Sequence, residues 1–154
     1  LVVPELPPDP TETIAIIDNA VAGEHKFVFI GSSLGGYYAT YIAERYRLKA
    51  ALINPAVRPY QLLKNFLGPQ KNLYTGEEFV VTENHLETLR QIDVARISDP
   101  ARYLVLLASG DEVLDHREAL AKYRGAKQIV IDGGDHSLQS FEEYIPRIVE
   151  FAAN

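Results

Sequence analysis

Lys26-Phe27-Val28-Phe29-Ile30-Gly31-Ser32-Ser33-Leu34-Gly35-Gly36-Tyr37-Tyr38 is the stretch whose reading decides the fold. Its first five residues are apolar, aromatic or β-branched after the opening Lys, the composition of a short buried strand. The run breaks into Gly31-Ser32-Ser33-Leu34-Gly35, a G-x-S-x-G pattern, and residues 37–45 then have helical composition. Strand, tight turn and helix together are the context in which this pattern forms a nucleophile elbow.

The spacing follows from the chemistry. A nucleophilic Ser has to project from a strained turn, clear of its own backbone. The flanking positions then favour residues without a Cβ, because strand and helix pass close together. Gly31 and Gly35 supply that room and Gly36 adds more, while the backbone N–H of Leu34 is the candidate oxyanion donor. In a chain with ten Gly, chance supplies about 0.03 such matches. The bland alternative is a Gly-rich strand-to-helix turn with Ser33 as a helix cap. A phosphate cradle fits less well: Gly31-x-x-x-Gly35-Gly36 lacks the second Gly of G-x-G-x-x-G, and no Lys follows as in a P-loop.

Outward from this turn, short apolar runs alternate with helical patterns. Upstream, Leu1-Val2-Val3 reads as a strand end. Pro4 to Pro10 carries four prolines and cannot continue a ladder. Thr11 is positioned to cap a helix over 12–22, ended by Gly23. Downstream, a helix is expected to about Arg47, then a strand at Ala50-Ala51-Leu52-Ile53 closed by Asn54-Pro55. Tyr103–Ala108 and Gln128–Ile131 are further strands, with a helix over Asp115–Arg124 between them. A last helix covers about Ser140–Ala152, with Pro146 kinking it or restarting it. Each strand is a continuous apolar run, which predicts a mostly parallel sheet with helices on both faces.

Residues 55–98 interrupt the alternation, with short helices at Pro59–Gly68 and around Glu83–Ile92. The expectation is a single domain over 1–154 with a lid-like insertion at about 55–98. Tyr60, Leu63, Phe66, Leu67 and Tyr74 are candidate substrate-pocket residues; plain packing against the sheet edge is the equal alternative.

A Ser nucleophile needs a base, and the base needs an orienting group. Of four His, His136 lies in a Gly-rich loop after the last strand. His25 precedes the elbow strand, at its wrong end; His85 sits in the insertion and His116 opens a helix. Asp111 follows the Tyr103–Ala108 strand and is the favoured acid, with Asp115 and Glu112 as rivals. Ser33, Asp111 and His136 all fall just beyond strand C-termini, the edge at which open parallel sheets carry chemistry. The order Ser…Asp…His is that of the α/β-hydrolases.

Apolar residues are 47% and charged residues 23% of the 154, ordinary for a globular protein. The net charge of −6 argues against nucleic acid and anionic membrane surfaces as partners. No apolar run reaches 18 residues, so no membrane span is expected. The chain has no Cys, which removes disulfides, thiolate metal sites and Cys nucleophiles and makes a cytoplasmic setting the default. It also has no Met, so residues upstream of Leu1 are expected.

Pro4-x-Leu6-Pro7-Pro8, Gly31–Thr40, Asn54-Pro55-Ala56-Val57-Arg58-Pro59, Tyr74-Thr75-Gly76, Gly110–Asp115 and Gly133-Gly134-x-His136 together resemble the YqiA family of small bacterial α/β-hydrolase esterases. The resemblance spans essentially the whole chain. It implies a carboxylic-ester hydrolase, with acyl-CoA thioesters as another substrate class, no metal and no organic cofactor, and the roles given above to Ser33, Asp111 and His136. The family pattern begins with a strand and a His-Gly-Phe loop ahead of the position matching Leu1, and that loop offers a second oxyanion donor. The expected fold is therefore α/β-hydrolase-like and N-terminally truncated, with a sheet edge left open to oligomer formation. The other readings are an acyl-binding or degenerate hydrolase domain, and a serine acyltransferase or peptidase on the same scaffold. Ser33 in place of Asp disfavours a haloalkane dehalogenase.

Overall fold

Apolar runs too short for helices form strands, and the periodic segments between them form helices. The computed structural model describes residues 2–22, 27–72 and 75–154. In chain order the elements are α1 (Pro10–Val21), β1 (Val28–Ser32), α2 (Leu34–Tyr46), β2 (Lys49–Ile53), α3 (Pro59–Leu63), β3 (Gly68–Lys71), β4 (Glu78–Val81), α4 (Glu83–Gln91), β5 (Tyr103–Ala108), α5 (His116–Lys122), β6 (Lys127–Ile131) and α6 (Ile145–Ala153). They fall into two compact units, Leu1–Glu24 with Arg58–Asp93, and His25–Val57 with Val94–Asn154.

The second unit holds a four-stranded parallel sheet in the order β1-β2-β5-β6. Its register pairs Ser32 with Ile53, Ile53 with Leu106, and Ala108 with Ile131. The C-terminal ends therefore finish nearly level, and the loops that leave them share one edge. Side chains alternate between faces along each strand. Ala50, Leu52, Tyr103, Val105 and Leu107 pack with Ala39 and Ala43 of α2 and Ala119 of α5. Ala51, Ile53, Leu104, Leu106 and Ala108 pack with Leu138 and with Ile148 and Phe151 of α6. Both faces are covered, which is why β5 is buried at every position and carries no polar alternation.

Several buried polar groups inside this unit are paired, although Asp135 Oδ1 is buried without a partner among the described residues. The hydroxyls of Thr40 and Tyr123 share a 2.8 Å hydrogen bond, and Thr40 Oγ1 also donates to the Gly36 carbonyl. At the start of β5, Arg102 donates to Glu44 Oε1 at 2.9 Å and to the Ala43 carbonyl, and the Tyr103 hydroxyl donates to Glu44. Burial, reinforced by Glu44, pushes the Tyr103 hydroxyl far above its ordinary value. For Glu44, burial alone would raise the carboxyl, but hydrogen bonds from Ser98 and Tyr103 and the Arg102 charge outweigh it and hold the group below its ordinary value.

In the other unit, α1 is capped by Asp9 rather than Thr11: Asp9 Oδ1 accepts from the Thr11 N–H at 2.7 Å, with Pro10 at the first helical position. A Pro is well placed there, because the N–H it lacks would have no intrahelical partner. Thr13 instead donates to the Pro7 carbonyl at 2.9 Å and fixes the proline loop. Thr82 and His85 form a reciprocal capping box on α4. Three sequence expectations change. Val2 and Val3 lie outside any strand and are exposed. The Pro59–Gly68 helix is shorter, ending at Leu63 with a 3-10 turn over Lys64–Phe66. Gly68, with φ +100, starts an antiparallel pair of β3 with β4 instead of closing a helix. Pro146 restarts the chain: a 3-10 turn at Phe141–Tyr144 precedes α6, and Pro146 sits in its first turn. The expected stop at Gly23 lies outside the described residues. Among the described residues no helix is long and apolar enough to cross a membrane.

Candidate active site

Ser33 follows β1 directly and stands in the left-handed half of backbone space, φ 52 and ψ −119. A non-Gly residue holds such a conformation only when its surroundings over-determine it. Here they do. The Ser33 N–H donates to the Ile53 carbonyl at 3.0 Å, and its carbonyl accepts from the N–H groups of Gly36, Tyr37 and Ala56. The glycines divide unequally. A Cβ on Gly31 would lie 2.3 Å from the Gly35 carbonyl oxygen, and one on Gly36 would lie 2.8 Å from Pro55 Cβ. A Cβ on Gly35 would meet nothing within 4 Å. The turn therefore needs Gly31 and Gly36, and the expectation that Gly35 also supplies clearance is corrected. Leu34 is the first residue of α2, so its N–H is one of the donors that helix geometry leaves free of an intrahelical partner.

His136 comes from the loop after β6, which turns through Gly133 and Gly134 at φ +70 and +72. Its Nε2 lies 2.9 Å from Ser33 Oγ, and its Nδ1 lies 2.8 Å from Asp111 Oδ2. Asp111 is almost fully buried, its side chain 2% exposed, while that of His136 is 20% exposed. Asp111 Oδ1 accepts from the N–H groups of Val113 and Leu114, both at 2.8 Å. A carboxylate can only accept, so Nδ1 carries the imidazole proton and donates it to Asp111. Nε2 is then left with a lone pair for the Ser33 hydroxyl proton. The arrangement can move a proton from Ser33 to His136 while Asp111 faces the resulting imidazolium.

The rival acids are placed elsewhere. Asp115 caps α5 and pairs with Arg117, which holds its carboxyl down at about 2. Glu112 Oε2 accepts from the His136 backbone N–H at 3.0 Å, not from the ring. The Asp and His loops are stitched together: Gly110 N–H donates to the Gly133 carbonyl and Ser109 Oγ accepts from the Gly133 N–H. A Cβ on Gly110 would lie 2.5 Å from the Gly134 carbonyl oxygen.

One residue of this site was read in the sequence only as a strand terminator. Asn54 ends β2 at φ 41 and is 2% exposed. Its Nδ2 donates to the carbonyls of His136 and Asp135 at 3.0 and 3.2 Å, and its Oδ1 accepts from the Ala108 N–H at 2.8 Å. The available signal was a polar residue closing an otherwise apolar strand just before Pro55.

Of the pocket candidates, Tyr60 donates its hydroxyl to Asp93 Oδ2 at 2.9 Å and lies under Arg90. Burial and Asp93 raise that hydroxyl's pKa. Phe66 and Leu67 are exposed and Leu63 is half-buried. These four belong to the unit containing Arg58–Asp93, whereas Ser33, Asp111 and His136 belong to the sheet unit. Tyr74 and His25 lie outside the described residues. Among the described residues no three His, Asp or Glu side chains are grouped to hold a metal ion.

A parallel sheet covered on both faces, with a strained Ser turn after one strand, is the α/β-hydrolase fold, and known structures share it. A putative hydrolase from Agrobacterium vitis S4 is 20% identical with a TM-score of 0.64, over 92% of this chain and 66% of that one. An α/β superfamily hydrolase from Oenococcus oeni PSU-1 is 14% identical at 0.63, over 98% and 77%. Est1E from Butyrivibrio proteoclasticus, with ferulic acid bound, is 18% identical at 0.66, over 94% and 68%. The chain thus spans slightly less than two thirds of the first of these structures and somewhat more of the other two. The chain belongs to the uncharacterised protein family UPF0227, whose pattern matches residues 1–153.

Proposed function

We propose that this chain is a serine hydrolase cleaving carboxylic esters, with acyl thioesters as a second substrate class, in the manner of the YqiA-type esterases. Ser33 Oγ attacks the acyl carbonyl carbon as His136 Nε2 takes the hydroxyl proton. The tetrahedral intermediate collapses, His136 returns the proton to the departing alkoxide or thiolate, and an acyl-Ser33 ester remains. Water, deprotonated by the same Nε2, attacks this ester, and the carboxylic acid leaves as Ser33 recovers its proton. Asp111 holds the tautomer and stabilises the imidazolium, and the Leu34 N–H donates to the developing oxyanion.

The observation that carries this reading is the hydrogen-bonded line Ser33 Oγ, His136 Nε2, His136 Nδ1 and Asp111 Oδ2, with spacings of 2.9 and 2.8 Å. The hydrolase names of two of the similar structures agree with it. The test is hydrolysis of short-chain p-nitrophenyl esters by the protein and by Ser33→Ala, together with fluorophosphonate labelling and peptide mapping. Hydrolysis abolished in Ser33→Ala and label on Ser33 are expected. Equal rates in both proteins, or label on another residue, would refute the reading.

A further inference from the structure

We infer that Asn54 is the positioning residue for His136, a role that rests on the hydrolase reading of the site. One side chain spans three segments that meet at the level strand ends. Its two donated bonds fasten the carbonyls of Asp135 and His136, which flank the Cα that bears the imidazole. Its accepted bond fastens the Ala108 N–H, and the Ala108 carbonyl accepts in turn from the Asp111 N–H at 3.3 Å. On the other side, the same turn of chain grips the nucleophile: Ile53 O accepts from the Ser33 N–H and the Ala56 N–H donates to the Ser33 carbonyl, both at 3.0 Å. The segment 53–56 therefore sets the Ser33 backbone and the His136 backbone against a common reference.

The residue type is specific to the task. Position 54 has a left-handed backbone, which Asn tolerates better than most side chains. It is nearly fully buried and has to offer two donors and one acceptor from a short side chain. A carboxamide does this; Asp keeps the acceptor and loses both donors, and Gly keeps the backbone and loses all three bonds. The loop carrying His136 contains two glycines at positive φ, and its bonds with Ser109, Gly110 and Glu112 run to the Asp loop. Asn54 supplies the constraint from the end of β2.

The experiment compares Asn54→Asp and Asn54→Gly with Thr40→Val, a buried polar change away from the His loop. Two measurements are made on each folded protein: kcat and KM on p-nitrophenyl butyrate, and the ¹⁵N shifts of the His136 ring, which report its tautomer and hydrogen bonding without any turnover. A displacement of about 1 Å at a reacting group costs roughly 10²-fold, so kcat should fall about 10–100-fold in both Asn54 variants. KM should stay within about twofold, because a positioning defect acts on the transition state. The His136 ring shifts should move away from the wild-type pattern in both variants and stay unchanged in Thr40→Val at a comparable loss of Tm. Wild-type ring shifts and kcat in Asn54→Asp would overturn the inference, as would an equal effect of Thr40→Val. If Asn54→Gly does not fold, Asn54→Asp alone decides. If the wild-type protein neither hydrolyses esters nor takes the fluorophosphonate label, the hydrolase reading fails, and the ring shifts still decide whether Asn54 places the imidazole.

Discussion

Replacing Asp111 by Asn tests the proton line at its far end, and the structure dictates how that variant should sit. Oδ1 of residue 111 accepts from the N–H groups of Val113 and Leu114. In Asp111→Asn the amide oxygen has to keep that place, because an amide NH₂ there would face two donors. The NH₂ is then forced into the position of Oδ2, 2.8 Å from His136 Nδ1. Nδ1 becomes an acceptor, the imidazole proton moves to Nε2, and Nε2 now donates toward Ser33 Oγ instead of accepting from it. The base is removed without moving a heavy atom. A wrong tautomer in a Ser-His-Asp site lowers kcat about 10⁴-fold, equivalent to about 5.4 kcal/mol. The assay is kcat on a short-chain p-nitrophenyl ester, with the far-ultraviolet circular dichroism and Tm of each protein as the check on folding. Asp115→Asn is the companion. It weakens the α5 cap and the exposed pair with Arg117 and should leave kcat within about twofold, since it touches neither Ser33 nor His136 and solvent screens an exposed pair. A folded Asp111→Asn protein within tenfold of wild type would refute this reasoning, and a large loss confined to Asp115→Asn would transfer the acid role to Asp115.

Gly31→Ala puts a Cβ 2.3 Å from a backbone oxygen and should destabilise by about 1–3 kcal/mol or more, whereas Gly35→Ala meets nothing and should be neutral or slightly stabilising in α2; urea denaturation of both separates them. Glu44 is depressed below its ordinary value of 4.5 when folded, so the folded state binds that proton less readily than the unfolded chain. Its contribution is complete above the ordinary value and is lost as pH falls through the depressed one. Melting curves between pH 7 and pH 3 should therefore drop more steeply for wild type than for Glu44→Gln, and parallel curves would contradict the assignment. Thr40→Val removes a buried partner of Tyr123 and should cost about 1–3 kcal/mol, part of which Tyr123→Phe in the same protein should restore; strict additivity in that double-mutant cycle would mean the two hydroxyls do not interact.

The centre of the sheet was legible because β2 beyond Lys49 and all of β5 are buried on both faces. Leu52, Val105 and Leu107 face one layer and Ala51, Leu104 and Leu106 the other, so these two strands are apolar across both faces and stand out from the amphipathic helices around them. The Ser33 turn was legible because a Ser at φ 52 demands particular neighbours, and Gly31 is one whose absence of a side chain leaves a mark in the sequence. Gly35 shows the limit of that argument: the pattern contains it, yet the space around it is open. The β3–β4 pair was not legible. Gly68-Pro69-Gln70-Lys71 has no alternation and carries a Pro, so nothing in its composition distinguishes a short edge pairing from a loop. Asn54 was hidden for a different reason. Its bonds reach residues 54, 81 and 82 positions away, and no local pattern records a long-range backbone contact made by a side chain.

The same long-range bonds explain how a strained Ser33 is kept at hydrogen-bond distance from His136 on a Gly-rich loop. The sheet ends are level, so the Ser turn, the Asn54 turn, the Asp loop and the His loop leave neighbouring strands at one height. Each is tied to the next by at least one backbone bond: Ser33 to Ile53 and Ala56, Asn54 to Leu106, Ser109 to Ile131, and Gly110 to Gly133. Loosening any one of these ties would let the adjacent loop shift, and the Asn54 side chain ties the end of β2, which holds the Ser33 backbone, to the backbone of the His loop. This predicts unequal sensitivity. A Cβ at Gly110 would press on Gly133 and Gly134 of the His loop and should part Asp111 from His136, whereas a defect at Asn54 should release the His136 backbone on the side of the Ser33 turn. The ring shifts of His136 in Gly110→Ala and Asn54→Asp should accordingly differ, with the Nδ1 bond to Asp111 disturbed first in Gly110→Ala and the Nε2 bond to Ser33 disturbed first in Asn54→Asp; identical shifts in the two variants would refute the argument.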